Sequence, residues 1–131
     1  MKRVLLALLL LTVTSTVCAE WVKLGSTDIA IIYGDSTTIR RSGSMVKMWH
    51  VIDNHVAMSL PAMGINGIKS AKLQGEYNCH EERVRVLYAT QHSDNMGRGA
   101  PIFVVTEPAK WVPVSPGSVE EVLLKFACGK K

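Results

Sequence analysis

"KSAKLQGEYNCHEERVRVLYATQ", residues 69–91, carries the pattern on which the fold rests. From 69 to 79 the residues alternate. Ala71, Leu73, Gly75, Tyr77 and Cys79 fall on one side, and Lys72, Gln74, Glu76 and Asn78 on the other. Successive strand residues point to opposite faces, so a two-residue period predicts a strand with one dry face. From 82 to 91 the alternation resumes, with Val84, Val86 and Tyr88 opposed to Arg83 and Arg85. The short step between the two runs, Cys79 to Glu82, predicts an antiparallel hairpin.

Cys79, His80 and Glu81 also raise a chemical question, and the other end of the chain bears on it. Lys2 and Arg3 precede an unbroken apolar run from Val4 to Leu11, and small and polar residues lead to Val17-Cys18-Ala19. This is the layout of a secretory signal peptide over 1–19, with cleavage between Ala19 and Glu20, and the apolar run is short for a membrane span. A lipid on Cys18 would instead hold the chain at a membrane. That signal asks for a Leu-like residue and a small residue where Ser15 and Val17 stand, so export to the periplasm or outside is favoured over an outer-membrane lipoprotein.

Lys2 and Arg3 leave with the leader and no acid does, which takes the net charge from +4 to +2. With no run of Lys or Arg longer than two, a nucleic-acid partner is not indicated. The 20–131 remainder suits one compact domain. It keeps two cysteines, Cys79 and Cys128, in a compartment where disulfides persist. A bond between them would close a loop of about 50 residues and contribute about 4 kcal/mol on a chain-entropy basis.

Further strand signals lie at 21–25, 29–34, 44–53 and 101–105. In 44–53, Val46, Met48, His50 and Ile52 share a side. Near the end, Ser118 with Glu121 three residues on is a capping-box signature. Val119, Val122, Leu123 and Phe126 follow at helical spacing, and Gly129 stands where a C-terminal cap would. The fold class is therefore α+β, an antiparallel sheet of five or six strands with one C-terminal helix packed on one face. On an ideal helix Cys128 lies nearly opposite the Val119/Leu123/Phe126 stripe, so a bond to Cys79 would require the helix to end or distort before Cys128.

Taken in order, "EWVKLG" (20–25), "IIYGD" (31–35), "VKMWHVID" (46–53), "YNC" (77–79), "ERVRVLY" (82–88), "WVPVSPGS" (111–118) and a short helix ending in cysteine resemble the surface-adhesin protein E family of bacterial secreted and outer-membrane proteins. The resemblance spans nearly all of 20–131. It implies a helix tethered to the sheet by a disulfide, with Cys79 and Cys128 as the pair. It also implies a binding module for host extracellular-matrix or plasma proteins such as laminin, vitronectin and plasminogen, and no enzyme. The competing reading is a small periplasmic accessory or structural protein with no host ligand.

Chemical alternatives are weaker. Neighbours on a strand face opposite ways, which places Cys79 and His80 badly for a thiol–imidazole pair. His50, His55, His80 and His92, with Glu81, Glu82 and Asp94, show no recognised ligand spacing, so neither metal nor cofactor is assigned, and no catalytic residue. The stretch 54–70, without charge between Asp53 and Lys69, is rich in Met, Pro and Gly, and reads as a mobile loop or an adaptable contact surface. Met58 and Met63 in that stretch, Arg98 in the 92–101 loop, and Arg83 and Arg85 are the candidate partner-binding residues.

Overall fold

The structure, a computed structural model, describes Val13 and residues 18–130, so most of the leader expected over 1–19 lies outside the described residues. The strands are β1 (Trp21–Ser26), β2 (Ala30–Asp35), β3 (Arg40–Ser42), β4 (Met45–Leu60), β5 (Ile65–Asn78), β6 (Arg83–His92), β7 (Pro101–Val105) and β8 (Val112–Pro113), and helix α1 (Val119–Cys128) follows them. One antiparallel sheet runs in the order β1-β2-β4-β5-β6-β7, with β3 beside β4 and β8 beside β6.

The 69–91 hairpin forms where the alternation places it. Asn78 makes the turn, its Oδ1 accepting the N–H groups of His80 at 3.1 Å and Glu81 at 2.9 Å. Such side-chain acceptance is how asparagine substitutes for a backbone turn.

Three features depart from the sequence reading. The sheet has eight strands, not five or six. The additional ones, β3 and β8, are short edge pieces without alternation, one all polar and exposed, the other two residues ending in proline. Secondly, the 54–70 stretch is not a loop. Strands β4 and β5 continue past Asp53 and Ser70, pairing Met58 with Ile68 and Leu60 with Ile65, and a turn over Pro61–Met63 closes the arm. Register shifts on either side of Met58 break the two-residue period and hide the strand from a pattern search. Thirdly, β6 has one extra residue at Leu87. Val86 stands opposite Gly75 but Tyr88 stands opposite Gln74, so Tyr88 turns to the face away from the helix.

The helix begins and ends as the caps dictate. Ser118 Oγ accepts the Glu121 N–H at 3.2 Å, and Gly129 (φ 68°) closes the C-terminus with Lys130 N–H donating to the Lys125 carbonyl at 2.8 Å. It buries Leu123, Leu124 and Ala127 against Ile32, Val46, Met48, Tyr77 and Val84, and each large side chain removed from water contributes about 1.5–3 kcal/mol. Of the stripe the sequence suggested, Leu123 is buried and Val119 and Phe126 pack partly buried against the core. Val122, however, is 39% exposed and Leu124 and Ala127 are buried, so the stripe is rotated. That rotation brings Cys128 to the flank of the stripe. The helix runs through Cys128 and the Cys79–Cys128 disulfide forms without an early ending, its Cα atoms 5.8 Å apart. Arg41 Nη2 donates to the Cys128 carbonyl and Lys130 Nζ to the Cys79 carbonyl, binding both sides of the bridge.

His50 sits on the helix-facing side, 4% exposed, with Nδ1 at 3.5 Å from the Tyr77 hydroxyl. Burial lowers its pKa to about 4, below the unfolded value of 6.5. At neutral pH both states hold the ring uncharged and its full contribution to stability is present. As pH falls below 6.5 the unfolded chain takes up a proton that the folded one refuses, and stability is lost until the folded ring also titrates near pH 4. Chemical unfolding at pH 7 and at pH 4.5 should therefore show wild type losing about 2 to 3 kcal/mol more than a His50→Gln variant. Parallel losses in the two proteins would contradict this.

Candidate functional site

Helix α1 has ten residues, roughly 15 Å, and covers only part of its face of the sheet. Toward the arm that face is bare and hollowed into a cavity of about 340 Å³ lined by Ile32, Ile52, Met58, Leu60, Ile68 and Gln91, among others. The volume is within the range of small-ligand or side-chain pockets. Gln91, on the cavity wall, has its Oε1 buried with no hydrogen-bond partner among the described residues. Beyond the cavity the arm carries Val56, Met58 and Met63 at 75%, 41% and 54% exposure. The 93–100 loop is fixed to the base of the arm. Asn95 Nδ2 and the Met96 N–H donate to Asp53 Oδ1, and the Gly97 N–H donates to Ser70 Oγ, which itself donates to the Asp94 carbonyl.

The opposite, helix-free face is read from the register. Trp21 pairs with Asp35, Trp49 with Gln74 and Gln74 with Tyr88, and the Gly34–His50 pair sets Asp35 beside Trp49. Trp21, Asp35, Trp49, Gln74 and Tyr88 thus form one row across five strands. On one side lies the row Lys23, Tyr33, Val51, Lys72, Thr90. On the other lies Arg40, Lys47, Glu76, Arg85. Trp49 meets Tyr88 edge-on at 5.8 Å, Lys72 Nζ lies 5.2 Å over Trp49, and the Arg85 guanidinium lies 4.6 Å over Trp111. All three tryptophans of the chain therefore stand on this face, each half-buried.

The residues picked from sequence fall in two places. Met58, Met63 and Arg98 cluster around the arm and the loop bound to its base. Arg83 and Arg85 are at the far end of β6. Arg83 is 4.0 Å from Glu81 on the surface, whereas Arg85 is held by Glu76 through Nε at 2.8 Å and Nη2 at 2.7 Å. The sequence reading passed over the aromatic row. Its signal is present in Trp49 and Tyr88, but the Leu87 bulge that puts them on one face is not visible before the strands are paired.

Chemistry is otherwise spoken for. The Cys79 sulfur is in the disulfide. His92 bonds through Nδ1 to the Gly99 carbonyl at 3.0 Å and through Nε2 to Thr90 Oγ1 at 2.8 Å. Among the described residues no three His, Cys, Asp or Glu side chains converge as metal ligands, and no helix is long and apolar enough to cross a membrane. Cys18 is exposed and unpaired.

Residues 21–129 match the family model described as surface-adhesin protein E. A structure of Haemophilus influenzae protein E superposes with a TM-score of 0.62 at 15% identity, covering 87% of each chain. A second crystal form of that protein gives 0.58 at 15% identity over 82% of this chain and 96% of the other. Protein E from non-typeable Haemophilus influenzae gives 0.58 at 13% identity, over 88% and 79%. At these identities the superpositions speak to the fold. No curated protein sequence matches the chain.

Proposed function

The chain belongs to the surface-adhesin protein E family, and from that premise we propose that it is an exported bacterial binding module that holds host extracellular-matrix or plasma proteins on its β4–β5 arm. The observation that carries this reading is the arm itself. It projects beyond the helix-covered sheet, keeps Val56, Met58 and Met63 in water, and adjoins an apolar cavity. Exposed apolar side chains beside a preformed hollow offer a partner an anchoring pocket. Methionine suits this use because its unbranched thioether adapts to different partners. Arg98, exposed on the loop bound to the base of the arm, adds a cation at its edge.

The purified domain, titrated over immobilised laminin, vitronectin and plasminogen, should bind at least one of them saturably. A Met58→Ser/Met63→Ser variant should bind about tenfold more weakly with an unchanged melting temperature. Saturable binding that the double variant retains would move the contact off the arm. Absence of saturable binding in wild type would overturn the host-protein reading and leave a periplasmic accessory protein.

A further inference from the structure

We propose that the helix-free face is a second binding surface, and that its ligand is a linear sulfated polysaccharide. The inference shares with the adhesin reading only the setting outside the cytoplasm, and uses none of the arm's residues.

The row Trp21–Asp35–Trp49–Gln74–Tyr88 places an aromatic ring on every second strand. With strands about 4.8 Å apart, the row spans roughly 19 Å. Between Trp21 and Trp49 is a hollow of about 240 Å³ whose walls also include Thr37, Thr38 and Lys72. The 93–100 loop covers one end of this face at Asp53, Ser70 and Lys72, and Val51 and Asp35 are buried. Trp21, Trp49 and Tyr88, in contrast, stay only half-buried and are costly to leave in water unless something lies on them. The faces of sugar rings, rich in C–H groups, stack on such rings, and Gln74 within the row offers amide donors and an acceptor to hydroxyl groups.

Charge chooses among sugars. The cation-bearing rows stand two residues to either side, roughly 7 Å away along the strands. The two acids in the rows, and a third beyond them, are already engaged. Asp35 accepts the Thr37 N–H and hydroxyl, Glu76 is paired with Arg85, and Asp53 beyond them accepts from Asn95 and Met96. Among the described residues Lys23, Lys47, Lys72 and Arg40 have no carboxylate partner. An aromatic strip between two unpaired cation rows is complementary to a chain whose rings run along the strip and whose anions hang to both sides. A sulfate ester sits on an arm outside the ring and reaches those rows, whereas a ring carboxylate stays close to the ring. Single-stranded nucleic acid also stacks on aromatic, cationic sheets. A surface module meets matrix polysaccharide first, so the nucleic acid is an outcome of the test.

The test uses tryptophan emission, because every tryptophan in the chain is on this face. Titration of the oxidised domain with a heparin-derived octasaccharide should change the emission saturably, and added salt should weaken the binding. Lys23→Ala/Lys47→Ala/Lys72→Ala should bind about tenfold more weakly with unchanged melting. Trp49→Ala should lose binding as well, while Met58→Ser/Met63→Ser should bind like wild type. An uncharged malto-octaose should not bind. The proposal is overturned by a flat titration, by undiminished binding in the lysine variant, or by tighter binding of an oligogalacturonate or an oligothymidylate of the same length. Loss of binding in the methionine variant would also overturn it, by assigning both ligands to the arm.

Discussion

Replacing Cys79 and Cys128 together with serine is expected to lower the free energy of unfolding by about 4 kcal/mol and the melting temperature by roughly 15 °C. The two residues are 49 positions apart, so the cross-link removes much of the freedom of the unfolded chain. It also acts at the weakest point of the fold. Helices shorter than about 12–15 residues are marginal alone in water, and α1 has ten. Its stability comes from Leu123, Leu124 and Ala127 docking on the sheet, and the bridge keeps them at the surface they dock on. Urea unfolding followed by circular dichroism should give the double variant and the reduced wild type similar midpoints. A change below about 1 kcal/mol would mean that docking alone holds the helix.

Tyr77→Ala is expected to cost about 3–5 kcal/mol, as deletion of a large buried ring does. Tyr77 is 0% exposed and lies in the cluster that joins β4, β5, β6 and α1. Its neighbour along the same face is Gly75, and the reason is spatial. A Cβ at position 75 would stand 2.5 Å from the Tyr77 hydroxyl oxygen and 2.8 Å from its Cζ. The ring lies over the glycine and fills the place of its missing side chain. Tyr77→Phe should cost only about 1 kcal/mol, because the hydroxyl's contact with His50 is long at 3.5 Å. Gly75→Val should be destabilising by about 1–3 kcal/mol or more through forced displacement of the ring. If Tyr77→Ala and Tyr77→Phe proved equally stable, the ring would not be the centre of the core.

Local signals in the sequence carry most of the fold. Alternation over 69–79 and 82–86, the hairpin step from Cys79 to Glu82, the Ser118 cap and Gly129 each depend on residues close together in the chain, and each forms as read. What escaped depends on pairing. Leu87 is an ordinary apolar residue until Gly75 and Gln74 are seen to pair with Val86 and Tyr88. Val119, Val122, Leu123 and Phe126 have the spacing of a buried stripe, and Leu123 is buried with Val119 and Phe126 packed beside it. Docking exposes Val122, however, and buries Leu124 and Ala127 instead, which is why Cys128 meets Cys79 without a break in the helix. The arm escaped for a related reason, since bulges around Met58 erase its period. Among candidate binding residues, Met58 and Met63 were legible by composition. The aromatic row was not, because its members come from β1, β4 and β6 and share a face only in the assembled sheet.

Everything proposed for this chain depends on its leaving the cytoplasm and oxidising there. The most direct test is the intact mass of the protein recovered from the cells that make it, alkylated without reduction. The account predicts a chain beginning at Glu20, two hydrogens lighter than its sequence mass, with Cys79 and Cys128 unmodified. A chain still beginning at Met1 with both cysteines alkylated would contradict it.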